Sequence, residues 1–188
     1  MSFWTKFLII LLYTNISFAS ITDEIIKKLK GTANITFNFK QVSNKQNEKG
    51  QCLIVFPGNL KCIYKSEDGK EIVVKNKSLY IIKHKFKRSY RYPIENSAFN
   101  IILNKEKIFE YLKAVKTSDI KETSDEYFYE INATEGIYIK IFFNKNTKML
   151  NGWETISYNQ QPVKFYIVDP IVVNSILKEK FILPNYNY

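Results

Sequence analysis

The chain has 188 residues, of which 45% are hydrophobic and 15% aromatic, and its formal net charge is +10. This length provides one sizeable hydrophobic core and is too short for two ordinary domains, so we expect a single domain. The lysines are scattered along the chain rather than clustered, which argues against a nucleic-acid-binding protein, and we expect no nucleic-acid partner.

The N-terminus has the pattern of a secretory signal peptide. Lys6 precedes an apolar stretch from Phe7 to Tyr13, and the small-x-small pattern of a cleavage site follows at Ser17-Phe18-Ala19. We predict cleavage after Ala19, so that residues 1–19 are removed and residues 20–188 form the exported domain. The alternative is an uncleaved anchor, but the apolar run is shorter than the roughly 20 residues that span a bilayer.

The first half of the exported chain predicts one helix and then a meander of strands. Thr22, with Asp23 and Glu24 after it, predicts the start of a short amphipathic helix that stops at Gly31. From Ile35 onward apolar residues alternate with polar ones, and turns at residues 57–59, 67–69 and 75–77 separate successive strands.

Helical spacing returns between Pro93 and Val115, and strand alternation resumes from residue 127 to residue 167. So many short-linked strands make an antiparallel sheet, which must curl and bury one face. We therefore predict an α+β, mainly β fold, in which a strongly curved antiparallel sheet is covered by a lid of short α-helices.

The two cysteines leave two interpretations open. An even pair in an exported protein favours a disulfide between Cys52 and Cys62. In most registers of the predicted hairpin, however, the two residues would lie diagonally or on opposite faces, where a bridge is strained. The alternative is a pair of small buried apolar side chains.

Several local patterns follow one another across nearly the whole exported chain. They are Phe-x-Gln at Phe39-Lys40-Gln41, a glycine and alternating strand from Gly50 to Pro57, an aromatic strand from Leu60 to Tyr64, Ser78-Leu79-Tyr80, and an apolar segment from Ser97 to Leu103. In this order they resemble the outer-membrane lipoprotein carrier (LolA) family, in which the last segment belongs to the lid. The sequence departs from the family pattern at Phe56, where many relatives carry Arg, at Cys62, where others have an aromatic residue, and at Ala98, which replaces a proline.

The resemblance implies an incomplete β-barrel and a periplasmic carrier that shields the acyl chains of lipoproteins in an apolar cavity. The implied partners are acylated lipoproteins, the inner-membrane lipoprotein-releasing ABC transporter that hands them over, and an outer-membrane acceptor or the membrane surface. A monomer without cofactor is expected.

Family position and strand alternation together predict the residues that line the cavity. The alternative is an ordinary packed core, which is the commoner meaning of apolar alternation. The predicted cavity residues are Phe39, Ile54, Phe56, Leu60, Cys62, Tyr64, Ile72, Phe99 and Ile102.

A basic strip offers a second candidate surface. Lys85, Lys87, Arg88 and Arg91 could meet an acidic transporter surface or lipid phosphates. An equally good interpretation is a solvated strand edge that lysines protect from aggregation.

Enzymatic function has little support in the sequence. His84 is the single histidine, so the chain offers no cluster of histidine ligands for a metal, and no glycine-rich phosphate loop occurs. Two further functions stay open: a periplasmic lipid- or lipoprotein-sensing regulatory module of the same fold, and a carrier of another apolar molecule such as a glycolipid.

Overall fold

The structure is a computed structural model that describes residues 20–44, 46–95, 97–132, 137–156, 161–173 and 181–186. The predicted signal peptide, residues 1–19, lies outside the described residues. The helices are α1 (Ile21–Lys30), α2 (Phe99–Ile102) and α3 (Lys105–Ala114). The strands are β1 (Asn34–Ser43), β2 (Asn47–Val55), β3 (Asn59–Tyr64), β4 (Lys70–Lys75), β5 (Ser78–Lys83), β6 (Arg88–Pro93), β7 (Lys121–Glu122), β8 (Glu126–Asn132), β9 (Tyr138–Asn144), β10 (Leu150–Ile156) and β11 (Pro162–Val173).

All eleven strands join one antiparallel sheet in the order β6-β5-β4-β3-β2-β1-β11-β10-β9-β8-β7. Each half of the chain is a meander, in which strands that follow one another along the chain pair with each other. The pairing of β1 with β11 joins the two meanders, and Phe39 stands opposite Ile167 at this junction. The predicted mainly β architecture is confirmed, and the sheet is not closed, because β6 and β7 are its two ends.

Helix α1 begins two residues earlier than the sequence pattern predicts. Its N-cap is Ser20, whose hydroxyl oxygen accepts a hydrogen bond from the Asp23 backbone N–H at 3.2 Å. Thr22 lies instead in the first turn, is buried, and its hydroxyl contacts the Tyr129 hydroxyl at 3.1 Å. The predicted end at Gly31 is confirmed. The threonine therefore ties α1 to β8 rather than capping the helix.

The three helices contribute to one core with a single face of the sheet, which we call the inner face. The apolar residues of α1 and α3 recur every three or four positions, so that each helix buries one stripe. The helical members of this core are Ile25, Ile26, Leu29, Ile101, Ile102, Leu103, Ile108, Phe109 and Leu112. They pack with inward residues of the strands such as Ile35, Ile54 and Phe143.

The opposite, outer face of β2 to β5 is also apolar, and residues 181–186 cover part of it. Phe181, Leu183 and Tyr186 belong to the same cluster as Val73 and Ile82. The Lys75 ammonium donates to the Phe181 carbonyl oxygen at 3.0 Å. Strands covered on both faces carry continuous apolar runs, which explains the sequence Ile72-Val73-Val74.

Cys52 and Cys62 form a disulfide in the structure. The register of β2 and β3 places the two residues directly opposite each other, with 4.1 Å between their Cα atoms. The expectation that the two cysteines lie diagonally or on opposite faces of the hairpin is therefore wrong, because the strands have a different register. Both side chains are buried on the inner face.

We expect the double substitution Cys52→Ala/Cys62→Ala to lower the free energy of unfolding by about 3 kcal/mol, because the bridge closes a short loop in the unfolded chain. Urea unfolding of the variant and of the wild type, each with and without reductant, measures this difference. Reductant should lower the wild-type midpoint and leave that of the variant unchanged. A wild-type midpoint that does not respond to complete reduction would contradict the structural role of the bridge.

Candidate functional site

The inner face carries a pocket of about 640 Å³, a volume typical of small-molecule sites. Among the described residues, no Lys, Arg, Asp, Glu or His lines it. Its lining residues are Gln41, Leu60, Cys62, Tyr64, Ile72, Leu79, Ile81, Ser97, Phe99, Trp153, Thr155, Val163 and Phe165. By contrast, a second pocket of about 530 Å³ is lined by Lys40, Glu48, Lys49 and Lys65 among others, so its chemistry is polar. The uncharged pocket is the candidate site for an apolar ligand.

The position of this pocket requires a bent sheet. Leu79 and Ile81 belong to β5 and Trp153 belongs to β10, and these strands lie six positions apart in the sheet order. In a flat sheet they would be about 29 Å apart, at roughly 4.8 Å per strand. Because both strands line one pocket, the sheet curves around it.

A row of aromatic rings crosses the sheet beneath the pocket. The Tyr64 and Phe39 rings meet edge to face with centroids 4.7 Å apart, Phe39 stacks on Phe165 at 4.7 Å, and Phe165 stacks on Trp153 at 4.2 Å. Offset and edge-to-face ring pairs of this kind stabilise by about 0.5–1.5 kcal/mol beyond their burial. The row joins β3, β1, β11 and β10 into one continuous wall.

Gly50 makes this row continuous across β2. It stands opposite Phe39 on one side and opposite Tyr64 on the other, so the two rings meet over a residue without a side chain. A Cβ atom at position 50 would lie 2.0 Å from the Ile63 carbonyl oxygen and 2.7 Å from Cε1 of Phe39. The glycine is therefore required by the close approach of its neighbours.

One end of the pocket is polar, and its side chains form a chain of hydrogen bonds. The Tyr64 hydroxyl donates to Oε1 of Gln41 at 2.9 Å, and Nε2 of Gln41 donates to Oε2 of Glu48 at 3.0 Å. Lys70 completes the chain through an ion pair with Glu48, and its ammonium lies 3.8 Å from the centroid of the Tyr64 ring. Burial, followed by the negative charge of Glu48, raises the pKa of Tyr64 well above its ordinary value, so the phenol stays protonated and donates.

Five of the nine cavity residues predicted from the sequence line the pocket, namely Leu60, Cys62, Tyr64, Ile72 and Phe99. Four do not. Ile54 and Ile102 are fully buried in the core, Phe39 lies in the aromatic row, and Phe56 is half-buried at the turn between β2 and β3.

The sequence prediction missed the far wall of the pocket, which the second half of the chain provides. Strands β10 and β11 contribute Trp153, Thr155, Val163 and Phe165 to this wall. The prediction also missed Leu79 and Ile81, which β5 contributes to the pocket from the first half of the chain. Their alternation was visible in the sequence, but nothing in one sequence showed that β11 pairs with β1. The pairing places Phe165 opposite Gln41 and so brings this wall to the site.

A cation lies beside the Phe56 ring. The Lys105 ammonium from α3 lies 4.9 Å from the centroid of the Phe56 ring and also donates to the Thr32 carbonyl oxygen. Burial lowers the pKa of Lys105 from its ordinary value, against the smaller opposing effect of Glu106. The backbone N–H of Gly58 donates to the Leu103 carbonyl oxygen at 2.8 Å, so both contacts join this turn to the helices.

The four predicted basic residues do not share one face. Arg88 and Arg91 lie on opposite faces of β6, and Arg91 donates from Nε to the Ser78 hydroxyl at 3.1 Å. Lys85 and Lys87 are exposed in the turn that precedes β6.

His84 lies outside the pocket, beside residues 181–186. Its Nε2 is 3.2 Å from Oε2 of Glu71 and its Nδ1 is 3.1 Å from the Tyr186 hydroxyl. The histidine therefore holds the C-terminal segment against the sheet.

Within the described residues, no three His, Cys, Asp or Glu side chains come together in a group that could bind a metal ion. None of the described helices has the length and apolar character needed to cross a membrane.

An open, bent antiparallel sheet with an uncharged, aromatic-walled pocket defines the class of protein, a mainly β protein whose site suits an apolar ligand. A family model described as outer membrane lipoprotein carrier protein LolA matches residues 30–181. Because the match spans most of the chain, the protein belongs to the LolA family.

Solved structures resemble this chain at very low sequence identity. A conserved protein from Thermus thermophilus, described as uncharacterized, is 8% identical with a TM-score of 0.51, and the match covers 88% of this chain and 93% of that one. The LolA superfamily protein of Nitrosomonas europaea is 12% identical with a TM-score of 0.45, over 88% and 99% of the two chains. The Pseudomonas aeruginosa MucA/MucB complex gives 7% identity and a TM-score of 0.48, over 88% and 62%. No curated protein matches the chain significantly.

We expect Gly50→Ala to lower the free energy of unfolding by about 3 kcal/mol, because the added methyl group must displace the Ile63 backbone or the Phe39 ring. Gly31→Ala is the matched control, since a Cβ there would lie no closer than 3.7 Å to the Lys28 carbonyl oxygen. The control should change the stability by less than about 0.5 kcal/mol. Urea unfolding compares the two, and equal midpoints would show that the row does not depend on a glycine.

Proposed function

We propose that the protein is a periplasmic carrier that binds the acyl chains of lipoproteins in the apolar pocket and takes them from the inner membrane to the outer membrane. The observation that supports this most directly is the pocket itself, about 640 Å³ in volume and lined, in the part of the chain that the structure describes, by uncharged residues alone. Membership of a family described as outer membrane lipoprotein carriers supports the same function.

The energetics of such a carrier require a pocket of intermediate affinity. Each methylene group removed from water contributes about 0.8 kcal/mol, so an unshielded acylated protein would aggregate or insert into the nearest membrane. The pocket has to compete with water and still release its cargo to a bilayer. The aromatic and aliphatic walls let the pocket compete with water. The polar end at Gln41 and Tyr64 reduces the apolar surface that an acyl chain contacts, which limits the free energy of binding.

Helices α2 and α3 act in this proposal as the lid of a half-barrel. Ser97 and Phe99, just before and at the start of α2, line the pocket, while Ile102 in the same helix is anchored in the core. In the empty state such a lid buries its own apolar residues. This burial is lost when cargo enters, and the loss offsets part of the free energy gained by binding the acyl chain. The contacts of Lys105 with Phe56 and of Gly58 with Leu103 join this lid to the sheet at the β2–β3 turn.

The proposed route begins with export, cleavage of residues 1–19, and action of residues 20–188 as one monomeric domain. Its partners are the acylated lipoproteins, the inner-membrane lipoprotein-releasing ABC transporter that delivers them, and an outer-membrane acceptor or the membrane surface. No cofactor takes part, because transfer needs only the difference in affinity between pocket and membrane.

We expect Ile81→Asp to weaken binding of acylated lipoproteins about 100-fold, because a carboxylate in the pocket must be desolvated or neutralised when an acyl chain enters. Ile81 is only partly buried, so the change leaves the core intact, unlike the same change at Leu60 or Ile102. Ile63→Asp is the matched control, because Ile63 lies on the outer face of β3 and is 54% exposed.

Native mass spectrometry of the wild type and both variants, recovered from the envelope of their own cells, measures the bound species. Acylated protein on the wild type and on Ile63→Asp, but not on Ile81→Asp, is the expected result. Equal loading of all three would contradict the pocket as the binding site. If the wild type carried a free glycolipid instead of acylated protein, the protein would be a glycolipid carrier. If the wild type carried no ligand, the result would favour a sensing module.

A further inference from the structure

Strand β6, at one end of the sheet, exposes aromatic side chains. Tyr90 is 41% exposed and Tyr92 is 48% exposed, and Phe86, in the short 3-10 turn before the strand, is 55% exposed. Large rings exposed together on one strand edge are unfavourable in water, so they indicate a surface that meets another phase or partner.

The two tyrosines continue the apolar surface of the pocket to the sheet edge. Tyr92 stands directly opposite Leu79, and Tyr90 stands opposite Ile81, and both of these β5 residues line the pocket. Directly opposed residues of an antiparallel pair share a face and lie about 4.5–5.5 Å apart at their Cβ atoms. The inner face therefore runs without a break from the pocket, over β5, to the open side of β6.

Cations flank these rings. Arg88 lies two residues before Tyr90 and therefore projects from the same face, while Lys85 and Lys87 are on either side of Phe86. Among the described residues, none of these three cations has an acidic partner within 4.0 Å. We call Lys85, Phe86, Lys87, Arg88, Tyr90 and Tyr92 the aromatic rim.

We propose that the aromatic rim docks the protein on an anionic phospholipid bilayer, so that the pocket opens directly onto the membrane at β6. The inference rests on the proposed function, because the rim is the continuation of the pocket that would hold the cargo. An acyl chain released from the pocket then reaches the bilayer over Tyr90, Tyr92, Leu79 and Ile81 without passing through water.

The rings favour a bilayer over an acidic protein surface as the partner. Tyr and Phe side chains beside lysines and arginines are typical of the interface between head groups and acyl chains, where the rings enter the apolar layer and the cations meet phosphates. The full chain has a net charge of +10, and Lys6 is the single charged residue in the predicted signal peptide, so the exported protein stays strongly positive and is attracted to an anionic leaflet.

The test measures binding of the exported protein to vesicles of phosphatidylcholine with about 30% phosphatidylglycerol, and to phosphatidylcholine alone, by co-sedimentation. Lys85→Gln/Lys87→Gln should weaken binding to the anionic vesicles about 30-fold, and Phe86→Ser/Tyr90→Ser about tenfold. The matched controls are Lys27→Gln/Lys28→Gln on the exposed side of α1 and Ile63→Ser/Ile171→Ser elsewhere on the surface. Both controls should stay within about twofold of the wild type, and all proteins share the same processed N-terminus.

Uptake of a fluorescent fatty acid in solution, without vesicles, separates this inference from the proposed function. Rim variants that take up the fatty acid normally but lose vesicle binding support the rim as the docking surface. Equal binding of the wild type to both kinds of vesicle, or controls as weak as the rim variants, would overturn it while leaving the carrier function intact. A wild type that binds anionic vesicles through the rim and takes up no fatty acid would leave the docking surface standing and refute the carrier.

Discussion

The pairing of β1 with β11 is the contact on which the rest of the structure depends. It joins two meanders that are each built from local hairpins, and it pairs residues that are far apart in the sequence, such as Gln41 and Phe165. The Phe39 and Phe165 rings stack across this junction. In this structure Trp153 and Leu79 share a pocket because the common sheet curves and brings β10 near β5.

The walls of the pocket explain how an apolar hollow persists in a folded protein. Protein interiors close to near-crystalline density wherever side chains can move into a gap. Here Tyr64, Phe165 and Trp153 are held by ring-to-ring contacts, and the hydrogen bonds of Gln41 fix the polar end. Stiff, mutually supported side chains of this kind resist collapse, so the sheet side of the hollow keeps its shape.

The two faces and the free edge of the first meander differ in what they contact. The inner face carries the pocket, the outer face is partly covered by residues 181–186, and the edge at β6 exposes rings and cations. In the proposed cycle, cargo is bound at the inner face and transferred at the β6 edge. The His84 and Lys75 contacts with Tyr186 and Phe181 matter here, because they occupy apolar outer surface that would otherwise compete for lipid.

The sequence by itself determined the elements and the family. Alternation at Ile35, Phe37 and Phe39, the turn residues, and helical spacing after Pro93 predicted a mainly β chain interrupted by helices, because such patterns depend only on which neighbours share a face. The tertiary structure decided which inward residues line a pocket and which, like Ile54 and Ile102, fill the core, since both kinds have the same pattern. It also decided the register that opposes Cys52 with Cys62, the role of Gly50, and the far wall from β10 and β11. These features arise from pairings between distant parts of the chain, and local periodicity carries no information about which strand will become the neighbour.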